Sequence, residues 1–293
     1  VSLEAAAQLP DYVPADGLAA WYPLNGDAKE AIHDSLNGMN STSSSLVEVN
    51  RFGQQGGALG FLRQEQIQVV LPPLLDFSDL TFTFSGWFKS TALVPSQAII
   101  NTIPHNILGL SYNHVENPGA RHVSLWLHDD NVCCWDISFN GHSDQSFELD
   151  TWHHVVVSRN GDAISLFVNG ELDWSLTLDN NIGSPLEGLV LGSINGYEFF
   201  NGSLDDFGFW QRALTDEEIL ALFNAPSPTT GCVDENACNY DSTAVIDDES
   251  CLYLDACGVC GGDGFSGCID DYACNFDPEA ACDDGSCDYT CCP

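Results

Sequence analysis

The C-terminal part of the chain contains a segment that occurs twice and has little apolar surface to bury. Residues 231–251 read GCVDENACNYDSTAVIDDESC, and 36 positions later residues 267–287 read GCIDDYACNFDPEAACDDGSC. The positions kept between the two copies are mostly Cys, Asp and Asn. Because a unit this small cannot rely on an apolar core, we expect covalent links and bound ions to order it.

Cysteine is concentrated in this segment, since eleven of the thirteen cysteines follow Gly231. This density is typical of a disulfide framework made in an oxidising compartment, so we expect a secreted or cell-surface protein. The odd total leaves at least one thiol free or intermolecular. Cys133 and Cys134 could bond to each other, stay free or bond elsewhere. The cysteines predicted to form disulfides are Cys232, Cys238, Cys251, Cys257, Cys260, Cys268, Cys274, Cys282, Cys287, Cys291 and Cys292.

The acidic residues that recur in the two copies predict bound calcium. Crowded carboxylates repel unless a cation gathers them, and Ca²⁺ takes six to eight oxygen ligands. Zinc is the alternative, because CGVC at 257–260 has ligand spacing, but no second Cys-x-x-Cys follows at a suitable distance. A disordered acidic tail is a third alternative, which the repeated cysteines disfavour. The predicted calcium ligands are Asp234, Asn239, Asp241, Asp247 and Asp248, and in the second copy Asp270, Asn275, Asp277, Asp283 and Asp284.

The charge of the chain excludes several partners. The formal net charge is −36, with only seven Lys and Arg residues. Such a chain cannot neutralise phosphates, so nucleic acids and anionic membrane surfaces are poor partners. No apolar run reaches the roughly eighteen residues of a membrane span, and we expect no membrane insertion. The chain opens at Val1 without a signal-like region, which fits a mature secreted chain.

The first two thirds of the chain predict an all-β, two-sheet antiparallel jelly-roll sandwich. Many short runs rich in Val, Ile, Phe, Trp and Thr alternate with period two between Gly17 and Gly202. Asn169 and Gly170 stand between two such runs, and this dipeptide is the strongest short hairpin signal. Regularly spaced strands with few helices indicate a sandwich or jelly roll.

One helix is predicted near the end of this part, over LTDEEILALFN. Thr215 is the expected N-cap and Glu218 completes a capping box. Ile219, Leu220 and Phe223 are expected on its apolar face. The following NAPSP ends the helix and begins a linker.

Several motifs in order resemble one family. GLAAWYPLNGDAKE, FGQQGGALGF, FTFSGWFK, DTWHHVVVSRNGDAISLFVNGEL and FNGSLDDFGFWQRALTDEEILALF are similar to laminin G-like, concanavalin A-like jelly rolls of secreted proteins. The resemblance implies binding of glycans or other extracellular ligands and one structural Ca²⁺ held by Asn25, Asp27 and Asp205. EAIHDSLNG departs from the usual loop, which leaves the roles of Glu30 and Asp34 undecided.

The tail resembles Cys/Asp-rich arrays of secreted bacterial proteins, similar to thrombospondin type 3 repeats. That resemblance implies a rigid, calcium-loaded spacer. One departure is that Cys282 replaces Ile246 of the first copy and, with Cys291 and Cys292, gives the second copy an altered pairing. The predicted organisation is a short extension (1–14), a jelly roll (15–225), a linker (226–230) and the repeats (231–293). The two copies span 231–252 and 267–288, with a CGVCGGDG connector between them. Asp-Ser motifs at Ser35 and Ser242 resemble bacterial O-glycosylation sites.

A ligand platform is predicted where large aromatic and polar side chains cluster, although aromatic residues in sandwiches are more often core. The candidate ligand-binding residues are Trp126, His128, Asp129, Asp130, Asn131 and Trp135. No mid-domain strand carries the close carboxylate pair that a glycosidase needs, since Asp205 and Asp206 are expected near the rim. His153 and His154 are adjacent on a strand, so they face opposite sides and cannot readily share a metal.

These observations favour a non-enzymatic, extracellular binding or adhesion protein. Its jelly roll would recognise a glycan or surface ligand, and the tail would be a calcium-stiffened spacer. The alternative is a structural subunit that assembles with copies of itself into a filament or surface layer. A polysaccharide-active enzyme is a minor alternative.

Overall fold

The computed structural model describes most of the chain. The described residues are 9–28, 31, 39–40, 46–61, 65–70, 81–103, 108–112, 121–128, 137–178, 188–194, 196–227, 229–244 and 246–290. The chain divides into two compact units, Val1–Ala225 and Pro226–Pro293. Among the described residues, no helix combines the length and the apolar character needed to cross a membrane.

The first unit is built on an eight-stranded antiparallel sheet. Seven strands follow the order β13-β12-β11-β6-β15-β4-β3, and β1 also pairs with β15. These strands are β1 (Leu18–Tyr22), β3 (Leu46–Val49), β4 (Gln55–Phe61), β6 (Thr81–Ser90), β11 (His153–Asn160), β12 (Ala163–Val168), β13 (Glu171–Thr177) and β15 (Gly202–Trp210).

A seven-stranded antiparallel sheet completes the sandwich, in the order β10-β9-β8-β7-β14-β5-β2. Its strands are β2 (Met39–Asn40), β5 (Ile67–Val70), β7 (Gln97–Ile103), β8 (Leu108–Tyr112), β9 (Val123–His128), β10 (Ile137–His142) and β14 (Gly188–Leu191). The all-β, two-sheet fold class predicted from the sequence is confirmed.

The main core lies between the two sheets and follows from the period-two alternation of the strands. Phe84 and Phe88 of β6 lie in the same apolar cluster as Leu110 and Tyr112 of β8. Phe84 stacks on Phe209 of β15 with ring centroids 5.5 Å apart. Each such side chain gains about 1.5 to 3 kcal/mol from leaving water, so this face fixes the register of both sheets.

The β12–β13 hairpin turns at the predicted dipeptide. Asn169 and Gly170 both have positive φ, at 50° and 80°, and Val168 pairs with Glu171 across the turn. Two central residues with positive φ are the signature of a type I′ turn, which favours Asn-Gly.

A second apolar cluster covers the outer face of the eight-stranded sheet. Helix α1 (Asp216–Phe223) begins at the N-cap Thr215 and has the predicted capping box with Glu218. Ile219 and Leu222 are its buried residues, whereas Leu220 is 44% exposed. The prediction for Leu220 was wrong because this residue lies about 100° around the helix from Ile219.

The residues before the first strand also pack on this face. Val13 is buried in the second cluster, and Trp210 Nε1 donates to the Pro14 carbonyl at 2.7 Å. Residues 9–14 were expected to belong to an extension, but they are part of the packed unit because they cover an apolar sheet face.

The second unit has little regular structure and repeats its geometry with the period of the sequence. Two short parallel pairs form, β16 (Thr230–Gly231) with β17 (Ile246–Asp247) and β18 (Ser266–Gly267) with β19 (Cys282–Asp283). Each member of the second pair stands 36 positions after its counterpart in the first. The sequence repeat is therefore also a structural repeat.

Four disulfides connect the described cysteines of this unit. Cys232–Cys251 and Cys268–Cys287 close equivalent loops within the two copies. Cys238–Cys260 joins the first copy to the connector, and Cys257–Cys282 joins the connector to the second copy. Cys274 is also disulfide-bonded, to a partner outside the described residues.

This connectivity bears on two sequence interpretations. Cys282, which was expected to alter the pairing of the second copy, bonds to Cys257 of the connector. The first copy has no connector before it, and this explains why Ile246 occupies the equivalent position. Cys257 and Cys260 both lie in disulfides, so they cannot supply the thiolates that a zinc site requires.

Candidate functional site

The outer face of the seven-stranded sheet carries a row of polar and aromatic side chains. Leu110 and Tyr112 of β8 belong to the core, so Ser111 between them faces the other side. Strand register places partners beside it, with Ser111 opposite Ser124 and Ser124 opposite His142. We call Asn101, Ser111, Ser124, Trp126 and His142 the outer-face cluster.

Trp126 lies flat against a glycine in this cluster. Asn101 and Trp126 both pair with Gly109, from opposite sides of β8. A Cβ atom on Gly109 would stand 1.8 Å from Cζ2 of the Trp126 indole. Only glycine therefore permits this ring position, and the indole forms one wall of the cluster.

The cluster contains a buried hydroxyl group that has no hydrogen-bond partner among the described residues. Ser124 Oγ and His142 Nδ1 are 2.7 Å apart, and His142 is half-buried at the edge strand. Ser111 is 0% exposed, and its Oγ is left without a partner in that part of the chain. Because an unsatisfied buried hydroxyl costs about 1 to 3 kcal/mol, this atom is a natural contact for a water or a ligand hydroxyl.

A second buried acceptor lies near the same strands. The Ala98 backbone N–H donates to the Glu198 carbonyl at 2.8 Å, and Ala98 is opposite Ser111. Burial raises the pKa of Glu198, whose Oε2 has no hydrogen-bond partner among the residues described. No sequence motif pointed to Glu198, which is positioned by β7 and by its own positive-φ backbone.

The predicted ligand residues coincide with this face only in part. Trp126 lies in the cluster, but it is 6% exposed and so presents no open platform. The backbone of His128 belongs to β9. The remaining candidates, together with other undecided residues, lie outside the described residues: Asp129, Asp130, Asn131, Trp135, Cys133, Cys134, Glu30, Asp34, Ser35, Cys291 and Cys292.

Asp205 does not offer its carboxylate to a rim calcium ion in this structure. Its Oδ2 lies 3.0 Å from Arg51 Nη1, and Oδ2 of Asp206 lies 2.6 Å from the same nitrogen. Asp205 is 1% exposed, and Tyr12 OH donates to Asp206 at 3.1 Å. The expectation that these acids lie at the rim was wrong, because the guanidinium of Arg51 allows them to be buried.

This buried charge group has perturbed protonation equilibria. Burial raises the pKa of Asp205 well above its usual range, the neighbouring Asp206 raises it further, and Arg51 opposes both effects. Burial likewise raises the pKa of Asp206 against the influence of Arg51.

Asn25 and Asp27 are exposed, and their calcium role stays a prediction.

The two adjacent histidines face opposite sides of β11, as expected. His153 packs on Phe147 with ring centroids 4.9 Å apart, whereas His154 packs on Trp87 at 4.9 Å. His154 Nε2 lies 2.8 Å from Ser85 Oγ. Burial first, and then Arg51, lowers the pKa of His154 to about 3. These rings belong to the packing of the sandwich.

The acids of the tail contact the backbone two residues further along the chain. Asp234 Oδ1 accepts from the Asn236 N–H at 2.8 Å, and Asp270 Oδ1 accepts from the Tyr272 N–H at 2.9 Å. Within the described residues, no group of three or more His, Cys, Asp or Glu is close enough to hold a metal ion. The calcium role of the tail acids stays a prediction. Ser242 is exposed.

Comparison with known protein families decides what the first unit is. The model of the concanavalin A-like lectin/glucanases superfamily, laminin G type, matches residues 63–220. The chain belongs to this superfamily. The match covers most of the sandwich, including the described strands of the outer-face cluster.

Curated relatives share the superfamily domain over part of their length. Human adhesion G-protein coupled receptor D1 is 28% identical over 149 residues, which cover 49% of this chain and 16% of the receptor. Paraclostridial mosquitocidal protein 1 of Paraclostridium bifermentans is 28% identical over 171 residues, or 51% of this chain and 12% of that protein. The chain thus matches less than a fifth of either relative.

Solved structures share the fold at low identity. Domain 4 of AbnA, a GH43 extracellular arabinanase from Geobacillus stearothermophilus, in complex with arabinotriose, has a TM-score of 0.54 at 18% identity, covering 70% of this chain and 97% of that chain. The botulinum neurotoxin serotype D binding domain has a TM-score of 0.52 at 18% identity, covering 71% and 52%.

Proposed function

We propose that the sandwich is a non-enzymatic module that binds a glycan or a similar polyhydroxylated extracellular ligand at the outer-face cluster. The observation that carries this proposal is the buried Ser111 hydroxyl, which has no partner among the described residues and lies opposite Ser124 of the Ser124–His142 pair. A sugar hydroxyl both donates and accepts, so it suits a row of serine and imidazole groups.

The relatives support ligand binding as the role of the sandwich. The arabinanase domain was solved with arabinotriose, and botulinum neurotoxin DC binding domains were solved with SialylT and with rat synaptotagmin II. This chain covers 52% and 53% of the two neurotoxin chains, so these complexes show ligand binding by proteins that contain the fold. We favour a glycan here because the cluster is rich in hydroxyl and imidazole groups.

The disulfides of the tail support a location outside the cell. Four described disulfides in the tail require an oxidising compartment, so we propose that the protein acts outside the cell, as an adhesion or surface-binding protein. Self-assembly into a filament stays an alternative prediction, and the sedimentation behaviour of the purified chain tests it.

Ser111→Ala tests the binding site. In the free protein this substitution removes a hydroxyl without a described partner, so we expect the free energy of unfolding to be unchanged or slightly higher. Affinity for the bound glycan should fall about three- to tenfold, the equivalent of one neutral hydrogen bond. Ligands would come from a glycan array that includes arabinotriose, and affinities from titration calorimetry.

Ser165→Ala is the matched control, because Ser165 lies in the eight-stranded sheet, away from the outer-face cluster. Its Oγ donates to Ser175 Oγ of the same sheet. This control should leave glycan affinity unchanged. If the array detects no ligand, the proposed function fails. If a glycan binds equally well to the wild-type protein and to Ser111→Ala, the function stands and the outer-face cluster is the wrong site.

A further inference from the structure

We infer that the tail is ordered by disulfides and by carboxylate-to-backbone hydrogen bonds, and that it keeps its fold with no bound cation. This inference reverses the expectation that calcium gathers the repeated acids. It rests on the second unit alone and is independent of the glycan site.

The first step is the use that the structure makes of the repeated Asp side chains. All eight Asp residues proposed as calcium ligands in the tail accept the backbone N–H two positions on, at 2.8 to 3.0 Å. This is the Asx-turn geometry, which explains why Asp recurs in a segment made of turns. The acceptor–donor pairs are Asp234–Asn236, Asp241–Thr243, Asp247–Glu249, Asp248–Ser250, Asp270–Tyr272, Asp277–Glu279, Asp283–Gly285 and Asp284–Ser286.

The two conserved Asn residues are also satisfied by the chain itself. Asn239 Nδ2 donates to the Ser250 carbonyl at 2.7 Å, and its Oδ1 accepts from the Leu252 N–H at 2.7 Å. Asn275 makes the same two bonds with Ser286 and Asp288, at 2.8 and 2.7 Å. Each amide therefore joins two segments of one copy and has its oxygen already occupied.

Phenol groups bind the second oxygen of one acid in each copy. Tyr253 OH donates to Asp234 Oδ2, and Tyr289 OH donates to Asp270 Oδ2, both at 2.6 Å. The tyrosine bond is the main reason that the pKa of Asp234 and of Asp270 is lowered. These donors stabilise the ionised carboxylates that were expected to require a cation.

The connector has its own organising acid, which the sequence interpretation missed. Asp255 Oδ1 accepts from the Cys257 and Val259 N–H groups at 2.9 and 2.8 Å, and Oδ2 accepts from the Gly264 N–H at 3.0 Å. The backbone bond from Val259 is the largest of the causes that lower the pKa of Asp255. The side chain holds the connector closed between its two outgoing disulfides.

Disulfides supply the remaining order by restricting the unfolded chain. Loops of 19 to 25 residues are closed by the four described bridges, and bridges over such loops restrict the unfolded chain substantially. The tail should therefore respond to a reductant and not to a chelator.

Amide hydrogen exchange on the full chain, resolved by peptide mass spectrometry, separates the two models of the tail. We expect tail peptides to exchange at the same rate in EDTA and in millimolar CaCl₂, and to exchange more than tenfold faster after reduction with a phosphine. Exchange slowed more than tenfold by calcium, or calcium binding by the tail with a micromolar Kd in calorimetry, would overturn the inference.

Two variants of one residue sharpen the test. Asp241→Asn keeps an oxygen acceptor for the Thr243 N–H but removes the charge, whereas Asp241→Ala removes both. We expect peptides that contain Thr243 to keep their protection in the Asn variant and to lose about fivefold in the Ala variant, as for one lost hydrogen bond. Equal loss in both variants would show that the charge orders the segment, contrary to the inference.

Discussion

Replacing Arg51 with Met leaves two buried carboxylates without their counter-charge. Arg51 Nη1 contacts Asp205 Oδ2 at 3.0 Å and Asp206 Oδ2 at 2.6 Å, and its side chain is 5% exposed. Its guanidinium also lies 4.7 Å from the centroid of the Trp87 ring. Breaking a buried ion pair by removing one partner costs about 3 to 5 kcal/mol, so we expect Arg51→Met to lower the free energy of unfolding by that amount at pH 7.5.

The pH dependence gives this prediction a second, more specific readout. In the wild type, burial raises the pKa of both carboxyls and Arg51 lowers it. Without Arg51 the folded-state pKa values rise further, so the folded state binds more protons than the unfolded state over a wider pH range. Stability then falls as pH rises through those values. The deficit of Arg51→Met should be largest at pH 7.5 and should shrink towards pH 4.5.

Urea denaturation followed by tryptophan fluorescence measures both quantities. Arg121→Met is the matched control, because Arg121 is 35% exposed and pairs with Glu148, which is 70% exposed. Exposed pairs contribute about 0 to 1 kcal/mol, so this control should stay close to the wild type. A loss below 1 kcal/mol for Arg51→Met, or a deficit that does not shrink in acid, would refute the assignment of a buried charge group.

Three further substitutions test other parts of the structure. Gly109→Ala forces a Cβ atom against the Trp126 indole and should cost about 1 to 3 kcal/mol in urea denaturation. Thr215→Ala removes the helix N-cap and should cost about 0.5 to 2 kcal/mol in the same assay. The double variant Cys257→Ser/Cys282→Ser frees the connector from the second copy and should speed proteolysis of the tail, measured by mass spectrometry, while leaving the sandwich intact.

Local signals in the sequence were sufficient for the elements that local interactions determine. The capping box of Thr215 and Glu218 needs only neighbouring residues, and so does the Asn169–Gly170 turn. Alternation alone also predicted the sandwich. The pairing of Asp205 with Arg51 could not be predicted, because the two residues are 154 positions apart in sequence.

The outer-face cluster could not be predicted from the sequence because it depends on strand register. Ser111, Ser124 and His142 come together only through the pairing of β8, β9 and β10. The repeated Asp residues of the tail predicted calcium ligands, but Asp within turn-rich sequence is also typical of Asx turns. The repeated acids do share one contact, since Asp241 and Asp277 each accept a backbone N–H two residues on, and their calcium role stays a prediction.

The disulfides that link the connector to the two copies, Cys238–Cys260 and Cys257–Cys282, limit how far the tail can extend under tension. A pulled chain would follow the shortest covalent route, through Cys232–Cys251, six residues to Cys257, the bridge to Cys282, and five residues to Cys287. At full extension that route spans about 50 Å, against about 200 Å for the reduced segment. A tether built this way would transmit pulling force to the sandwich after little extension. A thiol reductant would let the same segment extend much further before it carried tension.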